Sequence, residues 1–165
     1  MRAGLAADRA VHRLGRGDDD RRPARDGGLP GARAVSTPGP AADLAVELVS
    51  TPSVSGEEET VARRLETWAR KSGVHATRDE TGVRLEVAGG LPGPTLLLAS
   101  HLDTVPAGEG WTIDPFAGLV EGGVLRGRGA VDAKASVAAM AAAAAEWTRR
   151  GGPARGRLVV LATFG

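Results

Sequence analysis

Two uninterrupted apolar runs restrict the folds open to this chain more than any other feature. Thr95–Ala99 and Leu158–Phe164 show no alternation of apolar and polar residues, which is typical of strands buried on both faces of a sheet. Between them, Ala133–Arg150 is a long Ala-rich segment whose larger side chains fall on one helical face. Strands of this kind need helices to cover both faces of their sheet. We therefore predict an α/β fold with a mixed, largely parallel sheet that is flanked by helices, with these two runs as central strands.

Shorter elements are predicted before the first apolar run. Ala41–Val49 has the pattern of a short helix. A capping box at Ser55, with Glu58 three residues later, predicts the start of a second helix. Val74–Asp79 and Val83–Ala88 are predicted to pair as a hairpin. One face of the second helix is expected to be apolar through residues spaced at i, i+4 and i+7: Val61, Leu65 and Trp68.

The chain divides near residue 40. Residues 1–40 contain eight Arg and five Asp, a net charge of +3, and Pro and Gly interrupt every periodic stretch. We expect a disordered extension over residues 1–40, because this composition buries too little apolar surface to offset the entropy of ordering. The segment lacks the apolar core of a secretory signal, so we expect a cytoplasmic protein. Residues 41–165 are expected to form the N-terminal part of a longer, here truncated, catalytic domain, since Leu158–Phe164 reaches the end of the chain without a following helix.

The composition excludes several classes of function. The chain is 42% hydrophobic and 25% charged, as in globular proteins. Its net charge of +1 is too small for the basic surface that nucleic-acid binding requires. Zero Cys excludes a disulfide scaffold, a thiolate nucleophile and a Cys-ligated metal. No apolar run approaches the length of a membrane-spanning helix. We therefore expect neither nucleic acid nor a membrane as a partner.

The residues that carry chemistry follow the first apolar run. His101 and Asp103 lie just beyond it, where the carboxyl ends of strands gather functional groups in open α/β sheets. The H-x-D spacing puts both side chains on the same side of an extended chain, so that Asp103 can orient the imidazole. Asp132 follows a Gly-rich approach loop and precedes the Ala-rich helix. The two carboxylate oxygens of Asp132 could each bind a metal, and a His together with such an Asp suits a two-metal hydrolytic site.

Other interpretations of the same residues are open from sequence alone. His101 can be a hydrogen-bonded structural histidine, and Asp132 can be only the N-cap of the following helix. Gly127, Gly129 and Lys134 resemble a phosphate-binding loop, but their spacing matches neither of the common phosphate-loop patterns.

Three segments together resemble the acetylornithine deacetylase/succinyl-diaminopimelate desuccinylase family of di-zinc metallohydrolases, a peptidase family that includes aminoacylases and carboxypeptidases. The resemblance extends from Ala41 to Gly165. It implies that His101 is a ligand of one metal, that Asp103 is the catalytic carboxylate that orients the site, and that Asp132 bridges two zinc ions, with cobalt as a substitute. The matching segments are Ser100–Pro106, Gly110-Trp111 with Asp114-Pro115-Phe116, and Gly127–Lys134.

The resemblance also implies an activity and its requirements. A member of the family removes an N-acyl group from a small-molecule amino acid, and the Asp132-Ala133-Lys134 pattern favours acetylornithine deacetylase or a related N-acetyl amino-acid deacetylase of arginine or lysine biosynthesis. The alternatives are succinyl-diaminopimelate desuccinylase, a metallocarboxypeptidase, and a non-catalytic truncated remnant. The general base and the remaining metal ligands are expected beyond Gly165, so the chain alone is expected to be inactive. The full-length protein is expected to be a homodimer.

Overall fold

The computed structural model of this chain describes residues 39–165. The predicted extension, residues 1–40, lies outside the described residues except for Gly39 and Pro40. Three helices and six strands follow in this order: α1 Pro40–Val49, α2 Glu59–Lys71, β1 His75–Asp79, β2 Gly82–Ala88, β3 Leu91–His101, β4 Leu119–Glu121, β5 Val124–Arg126, α3 Lys134–Arg149 and β6 Arg155–Thr163.

Four of the strands form one mixed sheet in the order β1-β2-β6-β3. β1 and β2 form the predicted hairpin, and the side chain of Asp79 closes its turn by accepting hydrogen bonds from the N–H and the hydroxyl of Thr81. β2 pairs antiparallel with β6, whereas β6 pairs parallel with β3. The predicted α/β fold with a mixed sheet and flanking helices is therefore confirmed, although only one of the three strand pairs in this four-stranded sheet is parallel.

The core lies between the sheet and the three helices. The apolar face predicted for α2 is largely confirmed, because Val61 and Leu65 are fully buried and Trp68 is partly buried. β6 contributes Leu158 and Val160, which are also buried. Helix α3 packs with small side chains, and its buried apolar residues are Val137, Ala138, Ala141 and Ala144. In residues 39–165, none of the helices is long and apolar enough to cross a lipid bilayer.

The prediction that Thr95–Ala99 is a central strand is wrong for the part of the chain that the structure describes. β3 forms the edge of the sheet, and Leu96 and Leu97 are 52% and 55% exposed. The reason is that β6 occupies one edge of β3, while no strand within residues 39–165 occupies the other. The predicted central position holds for β6, which lies between β2 and β3.

The predicted capping box at Ser55 is also wrong. Helix α2 begins at Glu59 with Glu58 at the N-cap, and no side chain caps it. The buried Glu58 carboxylate instead accepts hydrogen bonds from the backbone N–H groups of Gly56 and Gly165, both at 3.0 Å. The segment between α1 and α2 is thus held by contacts with distant parts of the chain rather than by the helix that follows it.

Leu65→Ala tests the packing of α2 on the sheet. Leu65 is fully buried, so its truncation should lower the free energy of unfolding by about 2–5 kcal/mol. The matched control is Leu91→Ala, because Leu91 is 65% exposed and its loss should change stability by only about 0.5 kcal/mol. Urea denaturation followed by circular dichroism measures both. Equal losses for the two variants would contradict the described core.

Candidate metal centre

The predicted functional residues lie at the carboxyl end of the parallel strand pair. His101 is the last residue of β3 and pairs in register with Thr163 of β6. Asp103 follows two residues later in the segment after β3, and Asp132 lies in the turn that precedes α3. The carboxyl ends of parallel strands form the crevice in which α/β proteins place functional groups. The location predicted from the sequence is therefore the observed one.

The imidazole of His101 is held between two carboxylates. Its Nδ1 lies 2.9 Å from Oδ1 of Asp103, and its Nε2 lies 3.0 Å from Oδ1 of Asp132. The contact between His101 and Asp103 is the one that the H-x-D spacing predicted. The contact with Asp132 joins residues 31 positions apart in the sequence, and only the fold brings these together.

Asp132 does not cap helix α3. The N-cap residue is Ala133, and no side chain makes a capping hydrogen bond there, so the interpretation of Asp132 as an N-cap is wrong. The Asp132 side chain is 84% exposed. Its second carboxylate oxygen is therefore accessible to a ligand that approaches from solvent.

The loop before α3 lies close to the segment after β3, and this places Asp132 beside His101. Gly129 has a φ of +84°, and a Cβ at this position would lie 2.9 Å from the Thr104 side chain and 3.0 Å from the Lys134 side chain. Both the backbone conformation and the lack of space therefore require glycine. This contact brings the loop that precedes Asp132 against the segment after β3 that carries Asp103.

The two carboxylates change the protonation of the site. Partial burial lowers the pKa of His101, but the hydrogen bonds with Asp132 and Asp103 outweigh it and raise the pKa above its ordinary value. For Asp103, the hydrogen bond from the Ser55 hydroxyl is the main cause that lowers the pKa, and His101 adds to it. Asp103 is consequently held in its anionic form, which accepts a hydrogen bond from the imidazole N–H.

Ser55 has a hydrogen-bond partner that the sequence did not indicate. Its hydroxyl donates a 2.7 Å hydrogen bond to Oδ2 of Asp103, so each oxygen of this carboxylate has its own partner. The capping-box pattern assigned the same hydroxyl to helix α2. No local signal distinguishes these uses, because the partner of Ser55 lies 48 positions away.

Lys134 is the second residue whose role the sequence did not indicate. It is fully buried at the start of α3, and its Nζ donates a 2.6 Å hydrogen bond to the backbone carbonyl of Thr51. Burial lowers the pKa of Lys134 to about 8. A buried ammonium is costly unless it is hydrogen-bonded, so Lys134 ties the start of α3 to the segment that follows α1.

The donor atoms of this site fit zinc. An imidazole nitrogen and carboxylate oxygens are common zinc ligands. Metal-bound imidazoles usually donate their other ring N–H to a carboxylate, and the contact of Nδ1 with Asp103 reproduces this arrangement while Nε2 faces Asp132. Within residues 39–165, no group of three or more His, Cys, Asp or Glu side chains is placed to hold a metal. A zinc site needs three or four protein ligands, and His101 and Asp132 together offer two groups of suitable chemistry.

Comparison with known protein families gives a match that includes this site. Residues 97–165 match the model of peptidase family M20/M25/M40. Succinyl-diaminopimelate desuccinylases from a Methylobacterium strain and from Xanthobacter autotrophicus are 40% and 45% identical over 79% and 73% of this chain. The [LysW]-lysine hydrolase of Deinococcus radiodurans is 43% identical over 65% of the chain and 29% of its own length. The chain spans about a third of the two desuccinylases, 35% and 33%.

Solved structures share the fold. An M20 family metallo-carboxypeptidase from Sulfolobus solfataricus superposes with a TM-score of 0.66 and 21% identity, over 76% of this chain and 31% of that protein. A dinuclear metal-binding M20 peptidase from Bacillus subtilis gives a TM-score of 0.53 and 22% identity, over 73% of this chain and 33% of that protein. The arrangement of helices and sheet described above is therefore the arrangement found in these proteins.

Asp132→Asn should lower the pKa of His101, because it removes an anionic partner of Nε2. Proton NMR of the ring measures the pKa of His101 in the wild type and in Asp132→Asn. In the wild type, the stabilisation from protonated His101 is complete below its ordinary pKa near 6.5 and is lost as the pH rises through the raised value. An unchanged pKa of His101 in Asp132→Asn would show that the two side chains do not interact in solution.

Lys134 should make stability depend on pH in a range where few other groups titrate. Between pH 8 and 10.5, the unfolded chain binds more protons at this lysine than the folded chain, so the free energy of unfolding should rise by up to about 3 kcal/mol. The chain contains no Cys or Tyr that would titrate in the same range. Urea denaturation across this range should show the rise in the wild type and in the control Lys71→Met, an exposed lysine of α2. A rise that persists in Lys134→Met would refute the assignment.

Proposed function

Because this chain belongs to peptidase family M20/M25/M40, we propose that it supplies part of the active site of a zinc-dependent hydrolase that removes an N-acyl group from an amino acid. The observation that carries the proposal is the imidazole of His101 held between Asp103 and Asp132 at the carboxyl end of the sheet. Two zinc ions bound in such a site would lower the pKa of a bound water and would polarise the amide carbonyl of the substrate.

Each of the three side chains has a separate task in this proposal. His101 holds metal through Nε2, and Asp103 fixes the ring by accepting the Nδ1–H. Asp132 is the bridging ligand. Its exposure and its two carboxylate oxygens support this role, because one oxygen faces His101 while the other is accessible to a second metal.

We assign the general base to a residue outside the part of the chain that the structure describes. Asp103 and Asp132 both contact the ring of His101. Both oxygens of Asp103 accept hydrogen bonds and Asp132 is assigned to the metals, so neither is left to take a proton from the attacking water and pass it to the leaving amine. An acidic residue that followed β6 would lie at the same carboxyl end of the sheet as His101, because β6 and β3 are parallel and end side by side.

The substrate that we propose is an N-succinyl amino acid of the diaminopimelate type. Two relatives at 40% and 45% identity are named succinyl-diaminopimelate desuccinylases. The Asp132-Ala133-Lys134 pattern favours acetylornithine, but neither of these two relatives is named for that substrate. An acyl chain that ends in a carboxylate is therefore preferred over acetyl in this proposal.

Kinetics on the protein expressed from its intact reading frame test the substrate. Zinc-dependent hydrolysis of N-succinyl-diaminopimelate should exceed that of N-acetylornithine in kcat/KM. A preference for the acetyl compound would restore the deacetylase alternative, and the absence of zinc-dependent turnover with both would favour a non-catalytic protein.

Three substitutions in the same protein test the assigned roles. Asp132→Ala should cause the largest loss of metal and activity, because a bridging carboxylate contacts both zinc ions. His101→Ala should weaken one metal site. Asp103→Asn should keep most of the metal yet lower activity about 10–100-fold, since it disturbs a partner of a ligand rather than a ligand.

Elemental analysis and initial rates measure these effects. The matched controls are His75→Ala on β1 and Asp43→Asn on α1, both exposed residues. Full activity in Asp132→Ala would refute its assignment as a bridging ligand.

A further inference from the structure

The segment Thr51–Ser55 lies between α1 and α2 and is hydrogen-bonded to the segment after β3 that carries Asp103. The backbone N–H of Thr104 donates to the carbonyl of Ser53 at 2.8 Å, and the N–H of Ser55 donates to the carbonyl of Thr104 at 3.3 Å. The hydroxyl of Ser53 donates to the carbonyl of Leu102 at 2.7 Å. Ser53 and Thr104 are buried, so these hydrogen bonds are shielded from water.

The same segment is fixed at its other end by the start of α3. Thr51 is buried, and its carbonyl accepts the hydrogen bond from the Lys134 ammonium. Displacing the segment would leave this buried ammonium without its acceptor, which is energetically costly. The segment Thr51–Ser55 is therefore anchored at both of its ends by hydrogen bonds that do not involve the Ser55 side chain.

From this anchored backbone, the Ser55 hydroxyl reaches a single oxygen of Asp103. It donates to Oδ2, while Oδ1 faces Nδ1 of His101. A carboxylate with one oxygen fixed cannot rotate freely, so the other oxygen stays in place for the ring. Hydrogen bonds to an ionised acceptor are also stronger than neutral ones.

We propose that Ser55 is a positioning residue of the active site: it holds Asp103 so that this carboxylate directs Nε2 of His101 toward Asp132. That the positioned ring serves as a metal ligand rests on the function proposed above. The positioning itself requires neither metal nor turnover. The Ser55 hydroxyl thereby acts on His101 through Asp103, without contacting His101 itself.

Nitrogen NMR of the metal-free 165-residue chain tests the positioning. Long-range proton–nitrogen spectra report the Nδ1 and Nε2 signals of His101, and the His101→Ala spectrum assigns them by their absence. Ser55→Ala should shift both ring signals, and Ser55→Thr should restore them because it keeps the hydroxyl. The matched control is Ser72→Ala at the C-cap of α2, where the cap hydrogen bonds come from the backbone N–H and the ring signals should not move.

Unchanged His101 ring signals in Ser55→Ala would overturn the proposal. So would a loss of cooperative unfolding in Ser55→Ala that Asp103→Asn does not share, because it would assign the hydroxyl to the stability of the fold. A shift in Ser55→Ala that Ser55→Thr does not reverse would likewise refute the role of the hydroxyl.

Kinetics on the protein from the intact reading frame provide the second measurement. With N-succinyl-diaminopimelate as substrate, Ser55→Ala should lower kcat about 10-fold or more, with KM and zinc content unchanged. An unchanged kcat would contradict the proposal. If the wild type shows no zinc-dependent turnover, the proposed function fails, and the ring signals of His101 still decide the role of Ser55.

Discussion

The parallel pairing of β3 with β6 is the constraint on which the rest of the structure depends. Parallel neighbours cannot be joined by a tight turn, so the chain must leave the end of β3 and return to the opposite end of the sheet through a long crossover. This crossover contains the β4–β5 hairpin, the approach loop of Asp132 and helix α3. Because it starts at His101, the site and the crossover begin at the same point, and the turn before α3 can fold back onto it.

The candidate site lies on irregular segments after β3 and before α3, and contacts with other parts of the chain hold these segments in place. Gly129 allows the Asp132 loop to lie against Thr104, and Lys134 anchors the same loop to Thr51. Ser55 fixes Asp103 from the segment between the first two helices. Three regions far apart in sequence therefore determine one contact, the 3.0 Å approach of His101 Nε2 to Asp132 Oδ1. An arrangement held in advance is what a ligand shell needs, because ligands that must be ordered on binding cost free energy.

Most of the fold, and the position of the candidate site at the carboxyl end of β3, could be predicted from the sequence, because both follow from local patterns. The β1–β2 hairpin, the buried face of α2 and the helix before β6 follow from apolar periodicity. The predictions failed where a long-range partner competes with a local one. Ser55 fits a capping box but bonds to Asp103, and the apolar run of β3 indicates burial but not which strands cover it.

The sequence by itself determined the chemical groups and their order: an H-x-D pair after an apolar strand, a Gly-rich approach to Asp132, and no cysteine that would offer other chemistry. The tertiary structure decided which of these groups meet. The contacts His101–Asp132, Ser55–Asp103 and Lys134–Thr51 join residues 31, 48 and 83 positions apart. Spacing of two residues along a strand fixes relative direction, whereas at these separations only the packing of α3 and the connecting segment on the sheet fixes distance.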